Sequence, residues 1–190
     1  MAHTDQSVTK YSAMARMLHW LMAAGFIFMW ACGYYMTTWA GEDSPLQETL
    51  FDLHIWTGVT LGMLLIWRIV LLVISPRPPE PEGLTWMESK GSKVGHALLY
   101  ILPALIITIG WLETDFGGHG VTWWGGIEMP KLFPTIESET LENLTATWHM
   151  WLAYIMLVVV IVHVAAVIKH RKEGHDVLPR MGIGNASETD

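Results

Sequence analysis

Cysteine and charge are both scarce in this 190-residue chain. Cys32 stands alone inside an apolar run, so neither an intrachain disulfide nor a thiolate metal cluster can form. It reads as a small buried hydrophobe, and cysteine usage leaves the redox compartment open. Charged side chains make up 15% of the sequence, against about 25% in ordinary soluble domains. A single soluble globule of this size could not hide the remaining apolar side chains, and a membrane protein is the economical reading. Nucleic-acid binding has no support: the one basic cluster, KHRK at 169–172, flanks an apolar run, and no soluble binding domain stands beside it. A secretory signal is not expected either. The first sixteen residues are polar and mixed in charge, and the apolar run after them exceeds a signal core and has no convincing small-residue cleavage site. That run is expected to remain as a membrane span.

Apolar surface is what the chain has in excess, with 52% hydrophobic residues, a mean hydropathy of +0.33 and eleven tryptophans. Indole rings favour the bilayer interface. Four segments, near 17–39, 54–75, 94–112 and 147–169, are long enough to cross a bilayer core as helices. The third is shortest and contains Pro103, which can kink a packed helix without breaking it. Between the second and third, SPRPPEPEG at 75–83 cannot continue a helix. No internal repeat or second domain is evident. The expected fold is therefore all-α, an integral membrane four-helix bundle forming one domain over 1–190.

Lys/Arg asymmetry sets the expected orientation. Nine basic residues (Lys10, Arg16, Arg77, Lys90, Lys93, Lys169, Arg171, Lys172 and Arg180) fall on the side of the termini and the 76–93 connector, against Lys131 alone on the other. Both termini are thus expected in the cytoplasm. The outer segments, 40–53 and 113–146, hold ten acids and that single lysine, a formal charge of −9.

Nine histidines remain to be placed. His3, His119 and His175 fall in segments expected to be exposed. His19, His54, His96, His149, His163 and His170 fall in or beside spans, where ionisable side chains are costly and face the bundle interior. With the N-terminus inside, His54 and His149 share an outer level, and His19 and His163 an inner one. His149 and His163 are fourteen residues apart, a rise of about 21 Å and a rotation of about 1400°, so both imidazoles leave one face of one helix. Two histidines on opposite helices at one level can ligate a planar haem from both sides, and a four-helix core is a natural container for it. Filling both axial positions suits electron transfer better than oxygen binding. Zinc would want four clustered ligands, where each level offers two clear histidines. Metal transport and histidines that merely hold helices together stay open as alternatives. No CxxCH motif occurs, so any haem should be non-covalent. Arg68, fourteen residues after His54, lies on the same helical face near the inner level. It reads as a partner for the propionates of an inner haem, with snorkelling to headgroups as the alternative. Arg16 reads as an interfacial, topology-setting charge, with contact to a propionate as the lesser alternative.

Several of these stretches together resemble one family. YSAMARMLHW at 11–20, LHIWTG around His54, Arg68 followed by SPRPP, GHALLY around His96, WHMWLAYIMLVVVIVH and DVLPRM resemble the bacterial cytochrome b561 family in order and spacing over nearly the whole chain. The resemblance implies a four-helix cytochrome of the bacterial inner membrane with two b haems per chain, ligated by His19–His163 and His54–His149. Members of the family include an enzyme that passes electrons from superoxide to ubiquinone. Relatives with a similar core serve as cytochrome b subunits of hydrogenases and formate dehydrogenases.

A quinone site needs groups that exchange protons, and His96 and His170, both at the inner level, are its candidates. The acidic outer face departs from what a superoxide oxidase should show, because an anionic substrate is drawn by positive charge. Lys131 could contribute to a local basic funnel, and His119 in FGGHG could donate a proton above an outer haem. The expected function is electron transfer between a periplasmic donor, superoxide among the candidates, and the ubiquinone pool. The alternative is a non-catalytic subunit that anchors a basic periplasmic redox partner on the acidic face.

Overall fold

A computed structural model describes residues 8–184 of the chain; His3 lies outside the described residues. Four helices account for most of it: α1 (Ala13–Thr38), α2 (Pro45–Ile74), α3 (Trp86–Phe116) and α4 (Glu139–Lys172). Each starts at a hydroxyl cap, where a side-chain oxygen accepts a first-turn amide that would otherwise go unpaired. Ser12 takes the amide of Ala15, Ser44 that of Gln47, and Ser138 that of Leu141. Thr85 and Glu88 form a reciprocal capping box at the start of α3. Helix α2 stops at Ser75, ahead of Pro76 and the proline-rich connector. Helix α4 carries Glu139 and Glu142 in its first turn and Lys169, His170, Arg171 and Lys172 in its last, matching its dipole at both ends.

All four helices are long and apolar enough to cross a membrane, as the hydropathy of the sequence predicts. They are longer than the predicted spans, chiefly because α2, α3 and α4 each begin about two turns earlier. Hydropathy marks where a chain enters lipid, whereas the caps mark where the helix begins. His54 therefore does not open its helix but lies nine residues after Pro45, and His149 lies ten after Glu139. Pro103 sits fully buried inside α3, which runs unbroken through it.

Helix α1 packs chiefly on α2 and α3 chiefly on α4, with α2 and α3 joining the two pairs. The central cluster is Met22, Leu61 and Leu65, ringed by Phe26, Met29, Leu64, Tyr100 and Ile107. A Cβ on Gly25 would stand 2.7 Å from Leu61 Cδ2, so glycine there sets the close approach of α1 to α2. Outward-facing side chains such as Ile27, Ile66, Val73 and Ile161 make the rim more apolar than the protein's own core can explain. Such a surface requires lipid as its solvent. Cys32 is buried, as its setting in the sequence suggests.

Two small departures from all-α structure occur in the connections. A two-stranded antiparallel hairpin pairs β1 (Thr122–Trp123) with β2 (Ile127–Glu128). Gly125 and Gly126 take the positive φ values of its turn. The Trp123 and Trp124 indoles each donate to Thr60 Oγ1 at 3.1 Å, clipping the hairpin to α2. Asp115, 1% exposed, accepts the amides of Leu132 (2.5 Å) and Phe133 (3.4 Å) and so ties the rest of that loop to the end of α3. At the opposite end of the bundle the tail forms a 3₁₀ turn, Leu178–Met181. It folds back over α1: Tyr11 N–H donates to the Arg180 carbonyl and the Trp20 indole to the Met181 carbonyl, while the Arg180 guanidinium reaches the carbonyl of Pro79 in the connector.

Candidate functional site

The histidines assemble at two levels, as their spacing predicts. At the end carrying the hairpin, His54 of α2 faces His149 of α4, with ring centroids 6.0 Å apart and planes at 68°. At the end carrying the connector and tail, His19 of α1 faces His163 of α4 at 6.5 Å and 65°. Two imidazoles sharing one metal, each bonded at about 2 Å with just over 1 Å from nitrogen to ring centre, stand about 6 Å apart. Both pairs meet that spacing.

The His54–His149 level is built from backbone and glycine. His149 Nδ1 lies 3.0 Å from the Ile106 carbonyl. A carbonyl only accepts, so the proton sits on Nδ1 and the lone pair on Nε2, which is the tautomer a metal takes. His54 Nδ1 is buried with no hydrogen-bond partner among the described residues. A Cβ on Gly110 would come within 2.8 Å of the His149 ring, and one on Gly33 within 3.2 Å of the His54 ring. Each ring therefore lies against a backbone that leaves it room. Sequence reasoning passed over both glycines, although a signal was present. Gly33 follows His19 by fourteen residues and Gly110 follows His96 by fourteen, the same interval that separates His54 from Arg68 and His149 from His163. Because that interval returns to nearly the same helix face, every helix carries one residue at each level.

The other level is polar. Arg68 places one guanidinium nitrogen 3.1 Å from His19 Nδ1, donates Nε–H to the Tyr100 hydroxyl at 3.1 Å, and reaches the Ala15 carbonyl at 3.4 Å. Guanidinium has no acceptor, so His19 Nδ1 accepts and a neutral ring carries its proton on Nε2, opposite to His149. His96 joins this level as a third imidazole, edge-to-face on His163 at 5.4 Å, with its Nδ1–H donated to the Ser92 carbonyl at 2.7 Å. The sequence placed His96 near this depth without anticipating the ring contact. Arg16, expected chiefly at the headgroups, lies against Gly182 of the tail, and its Nε is buried without a partner among the described residues. His170 is seven residues farther along α4, and its Nδ1 is 4.0 Å from Glu173 rather than in the imidazole cluster. His175, expected to be exposed, is half-buried against Gly83 of the connector.

Folding also redistributes the acids of the hairpin-bearing end. Asp115 is buried, and Glu113 and Glu142 are half-buried, leaving seven of the ten on the surface. Lys131 is half-buried and donates to the Gly118 carbonyl at 2.9 Å. It shares a small pocket with half-buried Thr122 and the exposed His119 and Glu128.

A family model described as prokaryotic cytochrome b561 matches residues 10–184. The chain belongs to that family. Cytochrome b561 homolog 2 of Escherichia coli (strain K12) is 27% identical over 179 residues, covering 94% of this chain and 93% of that one. Membership together with four spanning helices makes this a multi-pass membrane b-type cytochrome that transfers electrons, and the cytochrome b561 family implies haem b as its cofactor. The residues present fit that group. Facing imidazoles, the protonated Nδ1 of His149 and the glycine-backed rings are the features that axial ligation of a planar macrocycle calls for.

Proposed function

We propose that the protein holds two b haems per chain, one between His54 and His149 and one between His19 and His163, and that it carries electrons between a periplasmic donor and the ubiquinone pool of the bacterial inner membrane. Both termini lie in the cytoplasm in this reading, in keeping with nine Lys/Arg on their side against Lys131 on the other. The observation that carries the reading is the pair of imidazole contacts at 6.0 and 6.5 Å, one at each end of the bundle. When bound, haem iron supplies the one-electron chemistry. His149 presents Nε2 through its bond to Ile106. His19 does so once Arg68 turns from Nδ1 to a carboxylate, the acceptor a guanidinium binds most strongly and the group a haem propionate provides. Arg16 adds a second cation with an unpartnered nitrogen near the same end. His96, beside His163 and exposed, is the first candidate for exchanging protons with quinone, and His170 the second.

The test is a reduced-minus-oxidised spectrum of the detergent-purified protein with haem quantified as pyridine haemochrome. Two b haems per chain are expected. One would discard a ligand pair, and none in a folded preparation would overturn the reading.

A second reading follows from the hairpin-bearing surface. Seven exposed acids fall in the segments at this end, and its one lysine is already engaged by a carbonyl, so this face offers little to attract superoxide and much to attract a basic protein. In that case the chain is a non-catalytic cytochrome subunit anchoring a basic periplasmic redox partner. Co-purification of such a partner, lost as salt is raised, would select it; reduction of the isolated protein by superoxide would select the first.

A further inference from the structure

Residues 169–175 form a cluster that axial ligation leaves unused. Helix α4 is capped at Glu173, and Gly174 follows at φ +88, a conformation that glycine adopts without steric cost. The turn brings the His175 amide to the His170 carbonyl at 2.8 Å. As a result the chain doubles back, and ligating atoms of His170, Glu173 and His175 all lie within 4.8 Å of one another. Both histidines are half-buried, and the Nδ1 of each is buried without a hydrogen-bond partner among the described residues. Such orphaned nitrogens are uncommon in a folded protein and call for a partner. The ring of His175 is held from behind by the connector, where a Cβ on Gly83 would meet its Nε2 at 2.7 Å.

We propose that His170, Glu173 and His175 form a binding site for a divalent transition ion of the zinc class. Two imidazoles and one carboxylate match the donor set of three-ligand zinc sites with water in the fourth position, and imidazole favours zinc, nickel or copper over magnesium or calcium. Donor atoms around tetrahedral zinc stand about 3.3 Å apart. The 4.0 Å from His170 Nδ1 to Glu173 Oε2 closes to that by rotation of the exposed glutamate. Glu173 is shared with Lys169 Nζ at 3.1 Å, but Lys169 also pairs with Glu88 and keeps that partner when Glu173 turns to the ion. Asp176 is already paired with Arg171 at 3.6 Å. Lys169, Arg171 and Lys172 raise the local positive charge, so the site suits an ion held by directional imidazole bonds rather than one held by charge alone. Occupancy would pin the tail to the end of α4, independently of how the chain handles electrons.

The experiment is calorimetric titration of the haem-loaded full chain, freed of any histidine tag, with Zn²⁺ alone, using the haem spectrum to report folding. Wild type is expected to bind one equivalent in the micromolar range. His175→Ala and Glu173→Gln are each expected to weaken it at least tenfold with the haem spectrum unchanged. If His175→Ala disturbs the haem spectrum, Glu173→Gln decides alone, since its side chain is exposed. No binding by wild type, or equal binding by wild type and Glu173→Gln, overturns the proposal.

Discussion

The two ends of the bundle solve the same problem with different materials. Each level takes one residue from each helix: Gly33, His54, Gly110 and His149 at one end, and His19, Arg68, His96 and His163 at the other. Two glycines and a backbone carbonyl fix the first pair of rings. Around the second, a guanidinium, a phenol and a third imidazole leave the hydrogen bonds open to exchange. One level is set by shape and the other by side-chain chemistry, so the two should respond to different substitutions.

On the proposed two-haem reading, the largest effect is expected from His149→Ala, which should take haem from two per chain to one, leaving the His19–His163 level loaded. Loss of neither haem would sink the ligand assignment. Next comes Gly110→Val. Crowding a packed ring costs about 1–3 kcal/mol, and the 2.8 Å approach to His149 places this substitution at the upper end. Haem retention during gel filtration should fall at that level alone, and Gly33→Ala, with a 3.2 Å contact, should do less. Equal loss from both levels would dissolve the distinction between them. Arg68→Gln should act in reverse. Removing a charge-assisted bond is worth about 1.5–3 kcal/mol, and the weakening should appear at the His19–His163 haem as easier loss and a shifted reduction midpoint. A shift confined to the other haem would contradict the geometry. Tyr100→Phe deletes one neutral partner of Arg68, worth about 1 kcal/mol, and should move the same midpoint in the same direction by less.

Much of this arrangement could be read from spacing. Hydropathy located four crossings, and the fourteen-residue interval from His149 to His163 put two imidazoles on one face before any contact was visible. The same interval ending on glycine went unused, because glycine carries no chemistry of its own and matters only for what stands opposite. The guanidinium contact with His19 was hidden for a related reason. Depth arguments place Arg68 at a level but say nothing of which atom it meets. The hairpin and the buried carboxylate of Asp115 depend on long-range hydrogen bonds to Thr60, Leu132 and Phe133, which leave no periodic trace in the chain.

The return of the tail over α1 has a consequence for biogenesis. Residues 178–181 are translated after all four helices, yet they supply carbonyls to Tyr11 and Trp20 at the head of the first. The start of α1 can emerge and enter the bilayer early, but its flank lacks these partners until residues 178–181 have been made. The seam at this end can therefore close only after α4 has been translated, and a stop codon ahead of Leu178 would leave the four helices with that seam unsewn.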